Sequence, residues 1–306
     1  VFFALLSTIL FSISVTCGHR SAKILGGTEA NFWRLTSAAL LLGLWSHLFG
    51  IGLGGKGFPM FLVSGIIGIG IGDMGLFQAL PRLGSRMSMV LIQCLTPPFG
   101  ALAEYLWLGT PLTWAQVLCS LWILAGVAIA LSPGKHLKVS REQLIAGTVA
   151  ALIAASGGAF GAVLSRNAYR EIHAAGESIS GANAAYQRIL GGLLIAALCL
   201  LVVKLRARQI CSQSAMIGAT PRPFSKWRTA WIWVLLNSVA GQTLGVSCMQ
   251  RALETTPTGV VLAIIATTPI ALIPLARIFE HEIITLRSVV GALIAVSGVI
   301  SLILSR

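Results

Sequence analysis

The chain has 306 residues, 56% of them apolar and 10% charged, with a formal net charge of +13 and a mean hydropathy of +0.87. A soluble domain needs about 25% charged residues to solvate its surface, so a soluble fold is excluded. The basic residues sit in short gaps between apolar runs, as topology determinants facing anionic headgroups, and no nucleic acid is expected as a partner.

A helix needs roughly 17–25 apolar residues to cross the hydrocarbon core. Ten such spans are predicted: about 2–17, 32–50, 59–80, 86–108, 112–132, 144–165, 181–203, 229–250, 257–279 and 286–304. Their length, and the absence of ten-residue alternating segments, favours helices over barrel strands. The opening run lacks the basic leader of a signal peptide and reads as a span. It can continue past Cys17, because Gly18-His19-Arg20 follows it much as Ser165-Arg166 follows the sixth run. A polar joint, 133–143, separates a first unit (1–132) from a second (144–306), with five spans in each.

The two units repeat one order of landmarks. Pro97 answers Pro269, Thr113 answers Thr285 and Gly126-Val127 answers Gly298-Val299, each 172 residues apart; Ala79-Leu80 answers Ala252-Leu253 with one residue more. Arg34 and Arg188 each stand at the head of the second span of their unit. An odd number of spans per unit inverts the second copy, so the fold expected is an all-α membrane protein of ten helices in two inverted five-helix repeats. Inverted repeats around a midplane site are a widespread transporter design.

Loops after odd-numbered spans carry fifteen Lys and Arg, against five in even-side loops and the C-terminus. Six of the fifteen lie in the one loop 204–230. The bias favours cytoplasmic odd loops and both termini outside.

Asp73 is the sharpest candidate for chemistry. It lies near the middle of span 3, in Gly68-Ile69-Gly70-Ile71-Gly72-Asp73-Met74-Gly75. An acid at the bilayer centre costs about 2.5–3.5 kcal/mol and therefore faces a cavity or a partner. The G-x-G-x-x-G in the same stretch lacks the preceding strand and the later acid of a dinucleotide site. Its glycines instead suit close helix approach, as do Gly157 with Gly161 and Gly241 with Gly245. Gln242 follows Gly241 where Asp73 follows Gly72, which makes Gln242 a second candidate for substrate contact. Gln93, Gln78, Gln250 and Asn237 are further intramembrane amides that serve either as ligands or as interhelical ties. Arg34 and Arg188 either snorkel to the interface or grip an anion, with Trp33 and Gln187 beside them. If both arginines face a central cavity, an anionic substrate follows; if only Asp73 and the glutamines do, a neutral or cationic one. Pro97, Pro98, Pro269 and Pro274 interrupt spans 4 and 9, and such breaks point to a central site. Glu104, Glu280 and Glu282 are expected as solvated residues at span ends.

Six dispersed cysteines and five dispersed histidines form no metal-ligand or disulfide spacing. No catalytic motif is present, and no cofactor is expected.

The chain resembles the EamA-type members of the drug/metabolite transporter superfamily. In the first unit the likeness runs through Gly72-Asp73, Gln78-Ala79-Leu80-Pro81-Arg82-Leu83-Gly84, Pro97, Leu106-Trp107-Leu108-Gly109-Thr110 and Gly126-Val127. In the second it runs through Gln250-Arg251-Ala252-Leu253, Pro269, Glu280-His281-Glu282 and Gly298-Val299. It covers essentially the whole chain. Thr110 departs from the acid of the family's Leu-Gly-Glu, which Glu282 keeps. The resemblance implies two five-helix copies and cytoplasmic termini, opposite to the charge bias. The function expected is secondary transport, as an exporter, of a small organic metabolite by alternating access, driven by protons or exchange. Its partners would be that substrate, membrane lipid and protons, in a monomer or homodimer of a bacterial inner membrane. An integral-membrane enzyme would need an interfacial His, Asp or Glu cluster, and a scaffold would tolerate loss of Asp73 and Gln242.

Overall fold

The computed structural model describes residues 1–109, 113–131, 140–213, 223–268, 270–272 and 286–304, and among them there are helices and no strands. We label the helices α1 (Phe2–Leu25), α2 (Gly27–Phe49), α3 (Phe58–Gly65), α4 (Gly72–Leu108), α5 (Trp114–Leu131) and α6 (Arg141–Ala174). There follow α7 (Gly181–Gln213), α8 (Pro223–Asn237), α9 (Val246–Thr255), α10 (Thr258–Ile265) and α11 (Leu286–Leu304). Two π-helical segments make the chain continuous between helices: Ile66–Ile71 joins α3 to α4, and Ser238–Gly245 joins α8 to α9.

Among the described residues, five helical stretches are long and apolar enough to cross a membrane: Phe2–Leu25, Phe58–Leu83, Arg141–Ala174, Gly181–Arg206 and Lys226–Thr255. Apolar side chains cover their outer faces. On α2, Leu40, Leu44 and Leu48 recur every four residues and are 65–70% exposed, a stripe that only lipid can cover without cost.

The 37 residues of α4 are helical throughout, yet they double back. A straight helix would hold Gly72 and Thr96 about 36 Å apart. Both instead meet Gly158: a Cβ on Gly72 would lie 3.3 Å from Gly158 N, and one on Gly158 would lie 3.9 Å from Thr96 Cγ2. Ala79, Leu91 and Ile92 likewise share contact with Ala150 and Ala151. The reversal therefore falls between Ala79 and Leu91, between the runs predicted as spans 3 and 4.

Helix packing is reciprocal between the two halves of the chain. α1 runs antiparallel to α8–α9, with Ser7 Oγ donating to Gly245 O at 2.7 Å and Ser14 Oγ to Asn237 Oδ1 at 2.6 Å. α6 runs antiparallel to the helix through Gly68, Gly75 and Leu83, which meet Gly161, Ala150 with Ala154, and Gly147 respectively. α2 packs on α7, and α5 on α11, where a Cβ on Gly126 would lie 2.5 Å from Ala295 N. Small residues make these approaches possible, the main source of helix cohesion where lipid is as apolar as the core.

Several helices outrun the predicted spans. Arg20 and Lys23 lie within α1, and Arg166 and Arg170 within α6. Hydropathy measures membrane thickness, and these helices continue beyond it. Ser140 caps α6 by accepting from Gln143 N at 3.3 Å, so residues 141–143 of the predicted joint are helical.

Glu104, expected as a solvated span end, is 1% exposed. Its Oε1 lies 2.6 Å from Arg166 Nε, and its Oε2 accepts from Thr258 N at 2.7 Å, capping α10. Arg166 Nη1 donates to the carbonyls of Leu253 and Thr256 at the end of α9. The pair thus fastens α4 and α6 to the α9–α10 turn.

Two outcomes are expected from this packing. Gly161→Ala would place a Cβ 2.6 Å from Gly68 Cα and should cost about 1–3 kcal/mol in unfolding measured in detergent, whereas Gly158→Ala should cost little. Glu104→Gln leaves a buried guanidinium without its anion and should cost about 3–5 kcal/mol by the same measurement.

Candidate functional site

A cavity of about 190 Å³ lies where both halves meet. Its polar lining comprises Ser14 (α1), Arg34 (α2), Asp73 (α4), Gln93 and Thr96 (α4 after the reversal), Arg188 (α7) and Gln242 (the second π segment). Apolar walls come from side chains such as Phe11, Ile69, Met89, Ile92, Val246 and Leu262.

Asp73 joins the halves. Its Oδ2 receives Arg34 Nη2 at 2.5 Å and Gln242 Nε2 at 3.2 Å. Arg34 Nη2 also donates to Asn31 Oδ1, 2.7 Å away and one helical turn earlier. The Arg34 guanidinium lies 4.8 Å above the Phe77 ring, a cation–π contact that helps hold it. Arg34 is 4% exposed and Arg188 3% exposed, so neither snorkels to an interface.

Arg188 is placed differently from Arg34. Its Nε is buried without a hydrogen-bond partner, as that of Arg34 is. Among the described residues, however, the rest of its guanidinium forms no hydrogen bond or ion pair, where Arg34 Nη2 bonds to Asp73 and Asn31. Gly68 makes room for it, since a Cβ there would lie 2.9 Å from Arg188 Nη2. The amide oxygen of Gln242 is also buried and unpartnered. The cavity therefore holds two guanidinium groups against one carboxylate, a net charge of +1 with Asp73 ionised.

The π segments aim these groups. A π turn inserts a residue into the helix and so rotates the face that follows. One precedes Gly72-Asp73 directly, and the other contains Gly241-Gln242.

Other candidates lie elsewhere. Gln78 accepts from Arg82 Nη1 at 2.7 Å through its side-chain oxygen and is not among the cavity's lining residues. Asn237 accepts from Ser14 and ties α8 to α1. Gln187 donates to the carbonyls of Gly52 and Gly54, holding the turn after α2. Trp33 packs edge-on to Trp227 with ring centroids 5.2 Å apart. Gln250 is fully buried with neither side-chain atom partnered. Pro97 and Pro98 line a separate apolar groove with Trp114, Val117 and Leu121. Pro97 does touch the site indirectly, because it has no N–H to offer Gln93 O one turn earlier. Pro269, Pro274, Glu280, His281 and Glu282 fall outside the described residues. Among the described residues no His, Cys, Asp and Glu cluster could hold a metal ion.

The EamA-like transporter family matches residues 1–132 and 144–304. The chain belongs to that family. It is thus a multi-pass integral membrane protein of the drug/metabolite transporter superfamily, whose EamA members are transporters. No curated protein matches it in sequence. A solved structure described only as "Crystal structure of protein" superposes with a TM-score of 0.71, at 16% identity, covering 100% of this chain and 97% of that one. At that identity the likeness concerns the fold alone.

Sequence reasoning did not single out Asn31, Thr96 or Ser14 in this EamA-like transporter. Asn31 carried a usable signal, standing three residues before Arg34 on the same helical face. Thr96 and Ser14 offered none, since hydroxyls within apolar helices are ordinary.

The Arg34–Asp73 pair predicts a strong thermodynamic coupling. Asp73→Asn alone leaves a buried cation and should cost about 3–5 kcal/mol, whereas Arg34→Gln/Asp73→Asn should recover part of that loss. A double-mutant cycle of unfolding in detergent measures it; strictly additive losses would show that the two side chains do not act as a pair.

Proposed function

We propose that the chain is a secondary active transporter that carries a small organic solute through the cavity containing Asp73, Arg34, Arg188 and Gln242. In this reading it has ten spans in two inverted five-helix units, which rock about the cavity to expose it to one side and then the other. Support comes from reciprocity. The first helix of each unit packs on the third of the other, and second packs on second and fifth on fifth. The two π segments and the two arginines fall at corresponding places. A two-fold axis in the membrane plane generates such a pattern, and alternating access around a fixed site follows naturally from it.

The observation that carries the reading is the hydrogen bond from Gln242 to Asp73, because it places an ionisable group on the seam between the units. Protonating Asp73 removes the counter-charge of Arg34 and weakens the seam, while deprotonation restores it. A proton can thereby bias one arrangement over the other. Asp73 is the coupling group in this scheme. The expected direction is export across a bacterial inner membrane, with a proton gradient or solute exchange as the driving force.

Solid-supported membrane electrophysiology on proteoliposomes tests this reading, using a panel of small amines, amino acids and carboxylates under imposed pH gradients. The wild-type chain should give solute-dependent currents that change with pH. Asp73→Asn, in vesicles matched for folded protein, should lose that pH dependence. Full transport with an unchanged pH profile would remove Asp73 from the mechanism.

A further inference from the structure

We propose that Arg188 is the anchor of an anion subsite, and that the solute this transporter binds is a small monocarboxylate with an apolar body. The inference rests on the reading of the central cavity as the transport site and specifies the chemistry of what occupies it.

Arg34 and Arg188 lie at corresponding places, each seven residues after the first residue of the second helix of its unit, but their surroundings differ. Arg34 is committed to Asp73 and Asn31. Arg188 is equally buried, lines the cavity, and makes no hydrogen bond or ion pair among the described residues. A guanidinium held in a membrane interior without an anion is costly, and its planar donor fork matches a carboxylate in two parallel bonds. Asp73 acts on Arg188 only at a distance, being bonded to Arg34 and Gln242, so the direct partner is left for the solute to supply. Gly68 lets the guanidinium lie at the cavity wall, since a Cβ there would stand 2.9 Å from Arg188 Nη2.

Charge and size narrow the class. With Asp73 ionised the lining carries one surplus positive charge, which a monoanion neutralises and a dianion overshoots. A cavity of about 150 Å³ holds benzene, so the 190 Å³ found here suits a molecule of roughly seven to nine non-hydrogen atoms. Phe11, Ile69, Met89, Ile92 and Leu262 would surround its apolar part. Gln242 Oε1, unpartnered and buried, is an acceptor that a hydroxyl on the solute could satisfy.

Binding to the full-length chain purified in detergent tests the class separately from transport. The probes are hexanoate and benzoate, their amides, the amines hexylamine and benzylamine, and the zwitterion norleucine, compared by calorimetry and ligand-induced thermal stabilisation. Hexanoate and benzoate should bind about tenfold or more tightly than their amides, and the amines should not bind. Arg188→Gln should erase the carboxylate preference, bringing hexanoate and benzoate to the affinity of their amides. The ranking on the unmodified chain decides the question even where that variant fails to fold. Equal binding of amides and carboxylates, preference for an amine or for norleucine, or binding of no probe at all would each overturn the proposal. Currents evoked by amines in proteoliposomes would leave the transporter reading intact while removing the anion subsite.

Discussion

Burying a guanidinium in hydrocarbon costs several kcal/mol unless an anion or a cavity receives it, and two are buried here around one cavity. The centre of the molecule is arranged around that cost. Arg34 is neutralised by Asp73, which is steadied in turn by Gln242 from the other half of the chain. The polar cluster therefore cannot form within either half alone. A lipid-facing position for any of these side chains would be far more expensive, so the electrostatics specify how the halves meet.

Polar atoms reach one another only because the backbones come close. At the crossing of α6 with the helix leading to Asp73, glycine faces glycine: a Cβ on Gly157 would lie 2.9 Å from Gly72 Cα. Such contact earns dispersion energy where no hydrophobic drive exists between helix and lipid. It also seats Gly72, the neighbour of Asp73, directly against the backbone of α6. The glycine runs that spell a false nucleotide fingerprint are thus the geometric precondition of the charged site.

The overall organisation was readable because membrane sequences state their constraints plainly. An ionisable residue amid apolar ones has few permitted roles, which is why Asp73, Arg34 and Arg188 stood out and why the structure brings them together. Amides are less telling. Gln242 and Asn237 look alike in sequence, yet one faces the cavity and the other accepts from Ser14, 223 residues away; tertiary contacts alone separate them. The prolines of span 4 belong to a helix that lines the cavity but themselves line a separate groove, because a proline in a sequence does not say which face it takes. The π segments were invisible, since an inserted turn has no composition of its own and reflects packing.

A comparison between two buried arginines separates architecture from function. Arg166 is surrounded: Glu104 supplies a carboxylate, and Leu253 and Thr256 supply carbonyls that the end of α9 would otherwise leave open. Its cost is met entirely by groups of the chain, and the arrangement gains nothing from a further ligand. Arg188 is more deeply buried, lines the cavity, and has none of these partners among the described residues. Folding selects against unanswered buried charge, and in the proposal made above a bound solute answers this one. On that proposal, partner count more than charge separates an arginine that ties helices together from one that meets the solute.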